Sequence, residues 1–281
     1  FYWPVIGALN FAILTRMDIA VFVSALQRVS HQPTILHCKR LNTVVRWAQR
    51  NPKHIRYTRL CNVTGETLPG APGDVVPTHL RMYSDAAFKK EEEDGHSLRG
   101  ACYLRCYGNQ DHNLTKATRG HLIDFQAKGQ RRVVRATFTA ELLGGCDTID
   151  KGILLAQTLH ELQAGIVTAC NSVNLRDNGG YAIPMVLYID ALSVYAAIIA
   201  TFVKTPADQS VLCHLQYIRE LLDHDVLRAL VWLDTRDMIA DGMTKGSIDR
   251  FELHQAMEGI VGASQECKIW RPKHFAIKSG E

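Results

Sequence analysis

The stretch from Met185 to Tyr195, MVLYIDALSVY, decides the fold class of this chain. Its first five residues are apolar and rich in β-branched and aromatic side chains, which is typical of a buried strand. The strand pattern ends on Asp190, and a helical pattern rich in Ala and Ile follows it. A buried, ionised carboxylate is costly unless a metal or another partner compensates its charge. We therefore expect Asp190 to meet such a partner where a strand gives way to a helix.

Three other acidic residues occupy comparable positions. Asp85 lies in a short strand pattern, and Glu141 lies in the first turn of a helical pattern that Thr137 or Thr139 can cap. Asp241 lies in a fourth acidic segment near the start of the last helical pattern. Four carboxylates on strands and helix starts are typical of a site that the fold assembles, and hard divalent cations prefer oxygen ligands. The sequence therefore predicts a metal site.

Composition sets the limits within which this site is interpreted. The chain has 281 residues, of which 47% are hydrophobic, so it can bury one large core or two ordinary ones. A net charge of +4 permits an anionic partner without requiring one. Eight cysteines and no signal peptide favour reduced thiols in an intracellular protein that is not secreted. The first residue is Phe1 rather than Met, so a fragment of a longer polypeptide is expected.

A membrane span is considered and rejected. Residues 185–203 carry one formal charge, that of Asp190, and approach the length that crosses a bilayer. The β-branched first half and the acidic residue inside the stretch fit a strand followed by a short buried helix better.

Hydrophobic periodicity and the positions of Gly and Pro divide the chain into four parts. Residues 1–63 are predicted to form a helical segment with three helices, and residues 64–77 are rich in Gly and Pro and are predicted to be a linker. Residues 78–265 are predicted to form the main domain, and residues 266–281 a C-terminal tail. Within the main domain, strands are predicted at 80–88, 99–107, 120–126, 185–190 and 227–233, helices at 139–169, 192–203, 206–223 and 237–261, and a loop at 171–184. Three consecutive strands followed by alternating helices and strands indicate an α/β protein with a mixed sheet.

Two basic segments leave two interpretations open. One is the third N-terminal helix, and the other lies just before the helix of Glu141. Each is either a solvated surface or a surface that binds backbone phosphates. The solvated interpretation is slightly favoured for the first segment and phosphate contact for the second. Their basic residues are Lys39, Arg40, Arg46 and Arg50, and Lys128, Arg131, Arg132 and Arg135.

Other catalytic or metal motifs are weak or missing. Cys102 and Cys106, with His112 and His121, suggest a zinc site, but the paired C-x₂-C spacing is absent and buried free cysteines are common in protein cores. No G-x-S-x-G elbow and no phosphate-binding P-loop motif occur, which argues against a serine hydrolase and a P-loop nucleotidase.

Several segments resemble one known family in the same order along the chain. The run LTRMDI begins at Leu14, the basic segment 128–135 is followed by TFTAEL from Thr137, YID ends at Asp190, and MIADGMTK ends at Lys245. Together these segments resemble the ribonuclease H domain at the C-terminal end of the Pol polyprotein of copia-type retrotransposons. The last run is the most specific, and the resemblance covers most of the chain.

The resemblance implies a ribonuclease H-like mixed five-stranded sheet flanked by helices, preceded by a helical segment similar to the end of a reverse transcriptase. It implies a two-metal endonuclease that cuts the RNA strand of an RNA/DNA hybrid, with two Mg²⁺ ions or Mn²⁺ in their place. Two such ions would also relieve the repulsion among converging carboxylates. The implied catalytic and metal-binding residues are Asp85, Glu141, Asp190 and Asp241. The residues expected to contact nucleic acid are Lys128, Arg131, Arg132, Arg135, Ser193 and Lys245.

Departures from the family keep a second function open. The polymerase motif Tyr-x-Asp-Asp is absent, so any DNA synthesis is expected of an upstream reverse-transcriptase domain. The family usually has Pro at position 17, where this chain has Met17, and Gly144 and Gly145 weaken the helix of Glu141. The alternative is a catalytically inactive nucleic-acid-binding or interface remnant of a retroelement. In either case we expect the cytoplasm, a virus-like particle or the nucleus, and no membrane partner.

Overall fold

A seven-stranded mixed sheet forms the centre of the protein. The computed structural model describes residues 1–61, 76–88, 97–108, 114–130, 133–134, 136–201 and 209–272. Its strands are β1 (Thr78–Ala87), β2 (Leu98–Tyr107), β3 (Thr118–Gly129), β4 (Met185–Ile189), β5 (Leu227–Leu233), β6 (Ile260–Val261) and β7 (Cys267–Trp270). They lie in the order β6-β3-β2-β1-β4-β5-β7. Most of the predicted linker, residues 64–75, lies outside the described residues.

Helices cover both faces of the sheet, which confirms the α/β class. They are α1 (Tyr2–Ala12), α2 (Ala20–Arg28), α3 (Ile35–Arg50), α4 (Thr137–Ala164), α5 (Ala169–Asn178), α6 (Leu192–Ile199), α7 (Leu212–Asp223), α8 (Asp241–Thr244) and α9 (Phe251–Met257). Helices α4, α6 and α7 pack on one face, and α2, α8 and α9 pack on the other. Among the described helices, none combines the length and the apolar character that crossing a bilayer needs.

The central strands are buried on both faces. β1 pairs antiparallel with β2 and parallel with β4. Along β1, Leu80 and Met82 enter the core under α4, whereas Tyr83 enters the core on the opposite face. All five residues of β4 are buried. A parallel strand that is covered on both faces has a continuous apolar run, which explains why the sequence locates β4 well.

The predicted count of five strands is wrong, because a short strand extends each edge of the sheet. β7 lies in the predicted tail and pairs antiparallel with β5, with Val231 opposite Ile269. β6 lies within the predicted last helix and pairs with β3. Gly259, at φ +76°, ends the helix before β6 and turns the chain toward β3. Strands of two and four residues are too short to give an alternating pattern.

Two helical predictions also need correction. The predicted loop 171–184 contains most of α5, which Thr168 caps by accepting a hydrogen bond from the Asn171 amide and which ends at Gly179, φ +73°. Helix α5 has no fully buried residue, so its sequence lacks the apolar periodicity that would predict a helix. The single helix predicted for residues 237–261 is instead two short helices, α8 and α9, joined by a loop.

The N-terminal helices have a small core of their own and also contact the sheet domain. Leu41 is fully buried among α1, α2 and α3. Met17 and Ala20, in contrast, belong to the core on the α8 face of the sheet. The extended segment after α3 lies beside β3, where the Tyr57 hydroxyl donates to the Leu122 carbonyl at 3.0 Å. The three predicted N-terminal helices are therefore confirmed, and they pack on the sheet domain.

A close backbone approach brings α8 onto the sheet. Gly100 on β2 lies opposite Asp85 on β1. A Cβ atom at position 100 would lie 2.5 Å from the Met243 Cβ and 2.8 Å from the Ala240 carbonyl oxygen. Only glycine leaves room for this contact, which holds α8 directly over the end of β1.

We predict that Gly100→Ala lowers the free energy of unfolding by about 1–3 kcal/mol, because the added methyl group forces α8 away from β2. Chemical denaturation of the purified protein measures this loss. Gly129→Ala is the matched control, because a Cβ atom there meets nothing within 4 Å. Equal stability of the two variants would show that the approach of α8 to β2 is not tightly constrained.

Candidate metal centre

Two of the predicted carboxylates follow equivalent positions on neighbouring parallel strands. Ser84 on β1 lies opposite Ile189 on β4. Asp85 on β1 and Asp190 directly after β4 are the next residues along the chain, so both lie at the same edge of the sheet. Asp85 is buried and Asp190 is half-buried. The parallel register alone therefore brings these two side chains to one place.

Helix α4 contributes the third carboxylate. Glu141 lies in its second turn and is buried against the end of β1, where its Oε2 accepts a hydrogen bond from the Ala86 amide at 3.1 Å. Gly144 and Gly145 are buried in the same helix, which runs unbroken through them. A Cβ atom at Gly144 would lie 3.5 Å from the Ser84 Oγ, at ordinary van der Waals distance, so this part of α4 packs directly on β1.

Asp85, Glu141 and Asp190 can hold a metal ion. One ligand atom from each lies within 4.8 Å of the others. Oxygens that share one hard cation lie at most about 4–5 Å apart, because the metal–oxygen distances are about 2.0–2.6 Å. The three residues fit such an ion in both spacing and donor chemistry.

The fourth predicted ligand, Asp241, lies outside this group of three and is paired with a lysine. The Lys245 Nζ lies 2.6 Å from the Asp241 Oδ1 and 3.6 Å from the Asp85 Oδ1. The Thr244 hydroxyl also donates a hydrogen bond to Asp85. Asp241 is therefore connected to Asp85 through the ammonium group of Lys245.

Burial and mutual repulsion raise the pKa values of three of these carboxyl groups, those of Glu141, Asp190 and Asp241. The pKa of Glu141 is raised to about 9, first by burial and then by the negative charges of Asp85 and Asp190. Burial, followed by the charge of Asp85, also raises the pKa of Asp190. The pKa of Asp241 is raised to about 7 by burial and by Asp85, although Lys245 acts in the opposite direction. A bound divalent cation would remove much of this penalty.

The structure describes three of the six residues that are expected to contact nucleic acid. Lys128 is exposed on β3, and Ser193 is exposed in the first turn of α6, three residues after Asp190. Lys245 contacts the carboxylates of Asp85 and Asp241, and its side chain is also partly exposed to solvent. The other three, Arg131, Arg132 and Arg135, lie outside the described residues.

Two residues that the sequence did not single out hold Asp190 in place. Thr235 donates from its Oγ1 to the Asp190 Oδ2 at 3.1 Å, and the Trp232 indole N–H donates to the Asp190 carbonyl oxygen at 2.8 Å. Both follow β4 by more than 40 residues, so no local pattern connects them to Asp190. Their role depends on the pairing of β4 with β5.

The weak zinc motif does not form a ligand group in the part of the chain that the structure describes. Cys102 and Cys106 are buried in the sheet core, and the His121 Nε2 lies 2.6 Å from the Thr58 carbonyl oxygen. His112 lies outside the described residues.

No protein-family model matches the chain, and no curated protein is significantly similar to it.

We predict that Glu141→Gln changes the pH dependence of stability in metal-free protein. Between pH 4.5 and about 9 the folded wild type keeps a proton on Glu141 that the unfolded chain has lost, so wild-type stability falls as the pH rises through this window. The variant has no titrating group at position 141 and so lacks this pH dependence. Its free energy of unfolding relative to wild type should therefore increase by about 2–4 kcal/mol from pH 5 to pH 8.

Denaturation in the presence of EDTA at both pH values measures this difference. Millimolar Mg²⁺ should reduce it, because a cation stabilises the ionised carboxylate of the wild type only. If the two proteins kept the same relative stability across the pH range, Glu141 would not be repelled by its neighbours in the folded state.

Proposed function

We propose that the chain is a divalent-metal-dependent endonuclease of the ribonuclease H type, which hydrolyses the RNA strand of RNA/DNA hybrids. The observation that carries this proposal is the convergence of Asp85, Glu141 and Asp190 near the carboxyl ends of the central strands β1 and β4. The order of the sequence segments that resemble copia-type Pol proteins supports it. Two Mg²⁺ ions, or Mn²⁺ in their place, would bind at the centre, with Asp241 as its fourth acidic residue.

The surroundings of each carboxylate suggest its part in the reaction. Hydrogen bonding from Thr244 fixes one side of Asp85, and the Ala86 amide fixes Glu141. Asp190 is the most open of the three and is suited to face the incoming phosphodiester. When bound, divalent cations supply the Lewis-acid chemistry that activates water and stabilises the charge of an in-line displacement at phosphorus.

A polyanionic substrate is supported by the charge of the N-terminal region. Residues 19–65 contain eight Lys and Arg and no Asp or Glu, whereas the rest of the chain contains 24 basic and 28 acidic residues. Four of the eight are exposed on α3 and form no ion pair with a residue that the structure describes, namely Lys39, Arg40, Arg46 and Arg50. From Lys39 to Arg50 the helix rises about 16 Å, the length of about five phosphates along one strand.

This basic surface of α3 lies next to the loop that leaves the metal centre. A cavity of about 290 Å³ is lined on one side by Thr43 and Trp47 of α3 and on the other by Gly246 and Arg250. Gly246 directly follows Lys245. A duplex at the carboxylates could therefore continue over α3, where basic side chains neutralise its backbone without reading base sequence. Recognition by duplex shape and 2′-hydroxyl groups fits such a surface.

The wider setting is part of the same proposal. We infer an upstream reverse-transcriptase domain on the same polyprotein and an intracellular location in the cytoplasm, a virus-like particle or the nucleus. The two departures that favour an inactive remnant are both accommodated by the fold. Met17 is fully buried in the sheet core, and Gly144 and Gly145 lie within an unbroken helix. We therefore favour the active enzyme.

Asp190→Asn is expected to reduce cleavage of an RNA/DNA hybrid to background in the presence of Mg²⁺. The amide is nearly isosteric and still accepts a hydrogen bond from Thr235, but it lacks the charge that a metal ligand needs. Without metal, the melting temperature should equal or exceed that of wild type, because one of the repelling charges is gone.

Gel-based cleavage of labelled hybrid, DNA duplex and RNA duplex measures the activity, and differential scanning calorimetry measures the melting temperature. Asp177→Asn is the control, since Asp177 is exposed on α5. Retained cleavage by Asp190→Asn would contradict the catalytic assignment. A wild-type protein that binds hybrid but never cleaves it would support the inactive remnant.

Arg46→Gln with Arg50→Gln should weaken hybrid binding equally for unrelated sequences and flatten the slope of log K against log salt concentration by up to about two units. Fluorescence anisotropy over a range of salt concentrations measures the slope. Arg176→Gln with Arg228→Gln removes the same charge near α5 and the start of β5, and should leave the slope unchanged. Equal slopes for both double variants would place Arg46 and Arg50 in bulk solvent.

A further inference from the structure

We propose that the Lys245 ammonium is an internal counter-ion on the Asp85–Asp241 side of the centre, and that a second divalent cation binds there only by displacing it. This inference rests on the proposed metal-dependent function, and it concerns how the second ion enters. The ammonium pairs with Asp85, which belongs to the group of three carboxylates, and with Asp241, which lies outside that group. It thus occupies the side of the centre that a second ion would need.

The contacts of Lys245 resemble those of a bound cation. Its Nζ approaches Asp241 at 2.6 Å and Asp85 at 3.6 Å, so one positive group bridges two carboxylates. Asp85 is buried and Asp241 is also buried. A buried pair of like charges needs a positive group between them, and in this protein the chain itself supplies it.

The sum of formal charges explains why the lysine and a second ion exclude each other. Asp85, Glu141, Asp190 and Asp241 carry at most four negative charges. One divalent cation and Lys245 carry three positive charges, and two divalent cations carry four. Two divalent cations together with Lys245 would exceed the carboxylates by one positive charge. The ammonium would then also lie beside an ion that shares its two ligands, so repulsion should expel it.

The lysine can leave without disturbing the fold. Its amide donates to the Asp241 carbonyl oxygen at 2.8 Å, and its own carbonyl oxygen accepts from the Arg250 guanidinium at 3.0 Å, so the backbone is fixed. The side chain is 35% exposed and has a flexible four-carbon stem. A rotation of the side chain alone would carry the ammonium toward solvent. Once there, it would be available to a substrate phosphate near the centre.

Lys245→Met tests the inference, because methionine keeps much of the length and removes the charge. Isothermal titration calorimetry and Mn²⁺ electron paramagnetic resonance on the full chain without substrate count the bound ions. We expect the second ion to bind at least about tenfold more tightly in the variant. In EDTA the variant should melt at a lower temperature than wild type, and saturating Mn²⁺ should reverse that order. Lys245→Arg, which keeps the charge, should keep the weak second site.

Lys151→Met is the matched control, because this substitution removes the same charge from a lysine that pairs with Asp124 and not with the carboxylates of the centre. Its ion binding should match that of wild type. A second measurement needs no variant: acylation of Lys245, followed by mass spectrometry, should increase as Mn²⁺ fills the second site of the wild type. An unchanged affinity for the second ion in Lys245→Met would overturn the inference, and so would labelling that does not respond to Mn²⁺.

The experiment separates this inference from the proposed function. If the wild type binds no divalent ion at millimolar concentration, the carboxylates are not a metal centre and both proposals fail. If the wild type binds ions and cleaves hybrid while Lys245→Met binds the same ions equally well, only the role of Lys245 is wrong.

Discussion

Repulsion among buried carboxylates is the constraint on which the surroundings of the centre depend. Asp85 and Glu141 are buried, Asp190 is half-buried, and all three present oxygens within 4.8 Å of one another. Such a group is unfavourable without positive charge or protons, and the raised pKa of Glu141 reflects this cost. The fold tolerates the cost because hydrogen bonds from an amide and two hydroxyl groups, together with Lys245, stabilise the carboxylates.

The architecture keeps these groups in place through rigid elements. Parallel pairing of β1 with β4 fixes the distance between Asp85 and Asp190, and α4 packs close enough to bring Glu141 against the same edge. On the other face, Gly100 lets α8 rest on the sheet. Sites built on strands and helices are held more tightly than sites built on loops, which suits a reaction that needs accurately placed charges.

Charge is separated between the two parts of the chain. The main domain holds the acidic centre, whereas the N-terminal region has an excess of basic residues on and after α3. An acidic centre by itself repels a nucleic acid, so cations at the centre and basic side chains around it are both needed for a polyanion to bind. The N-terminal helices pack on the sheet, with Met17 in its core, and Thr43 and Trp47 of α3 share a cavity with Gly246, the residue after Lys245. The separation therefore supports the proposed nucleic-acid substrate over a small neutral one.

Local pattern in the sequence was enough to determine the central strands, the main helices and the three carboxylates that converge. Strand β5 was predicted with the observed ends, 227–233, because a strand buried on both faces has a continuous apolar run with clear limits. Asp85, Asp190 and Glu141 were identifiable because an acidic residue beside a buried strand or helix start needs a partner. The short edge strands β6 and β7 and the exposed helix α5 were not predicted, because none of them buries enough surface to require a hydrophobic period in the sequence.

Only the tertiary structure decided which carboxylates share a site and which one meets a lysine. The sequence treated Asp241 as the equal of the other three, but packing of α8 on β2 pairs it with Lys245 and leaves it outside the group of three. Thr235 and Trp232 hold Asp190 only because β5 lies beside β4. Periodicity records which face of each element is buried, whereas distances between atoms far apart in the chain follow from strand register and from how closely the elements pack.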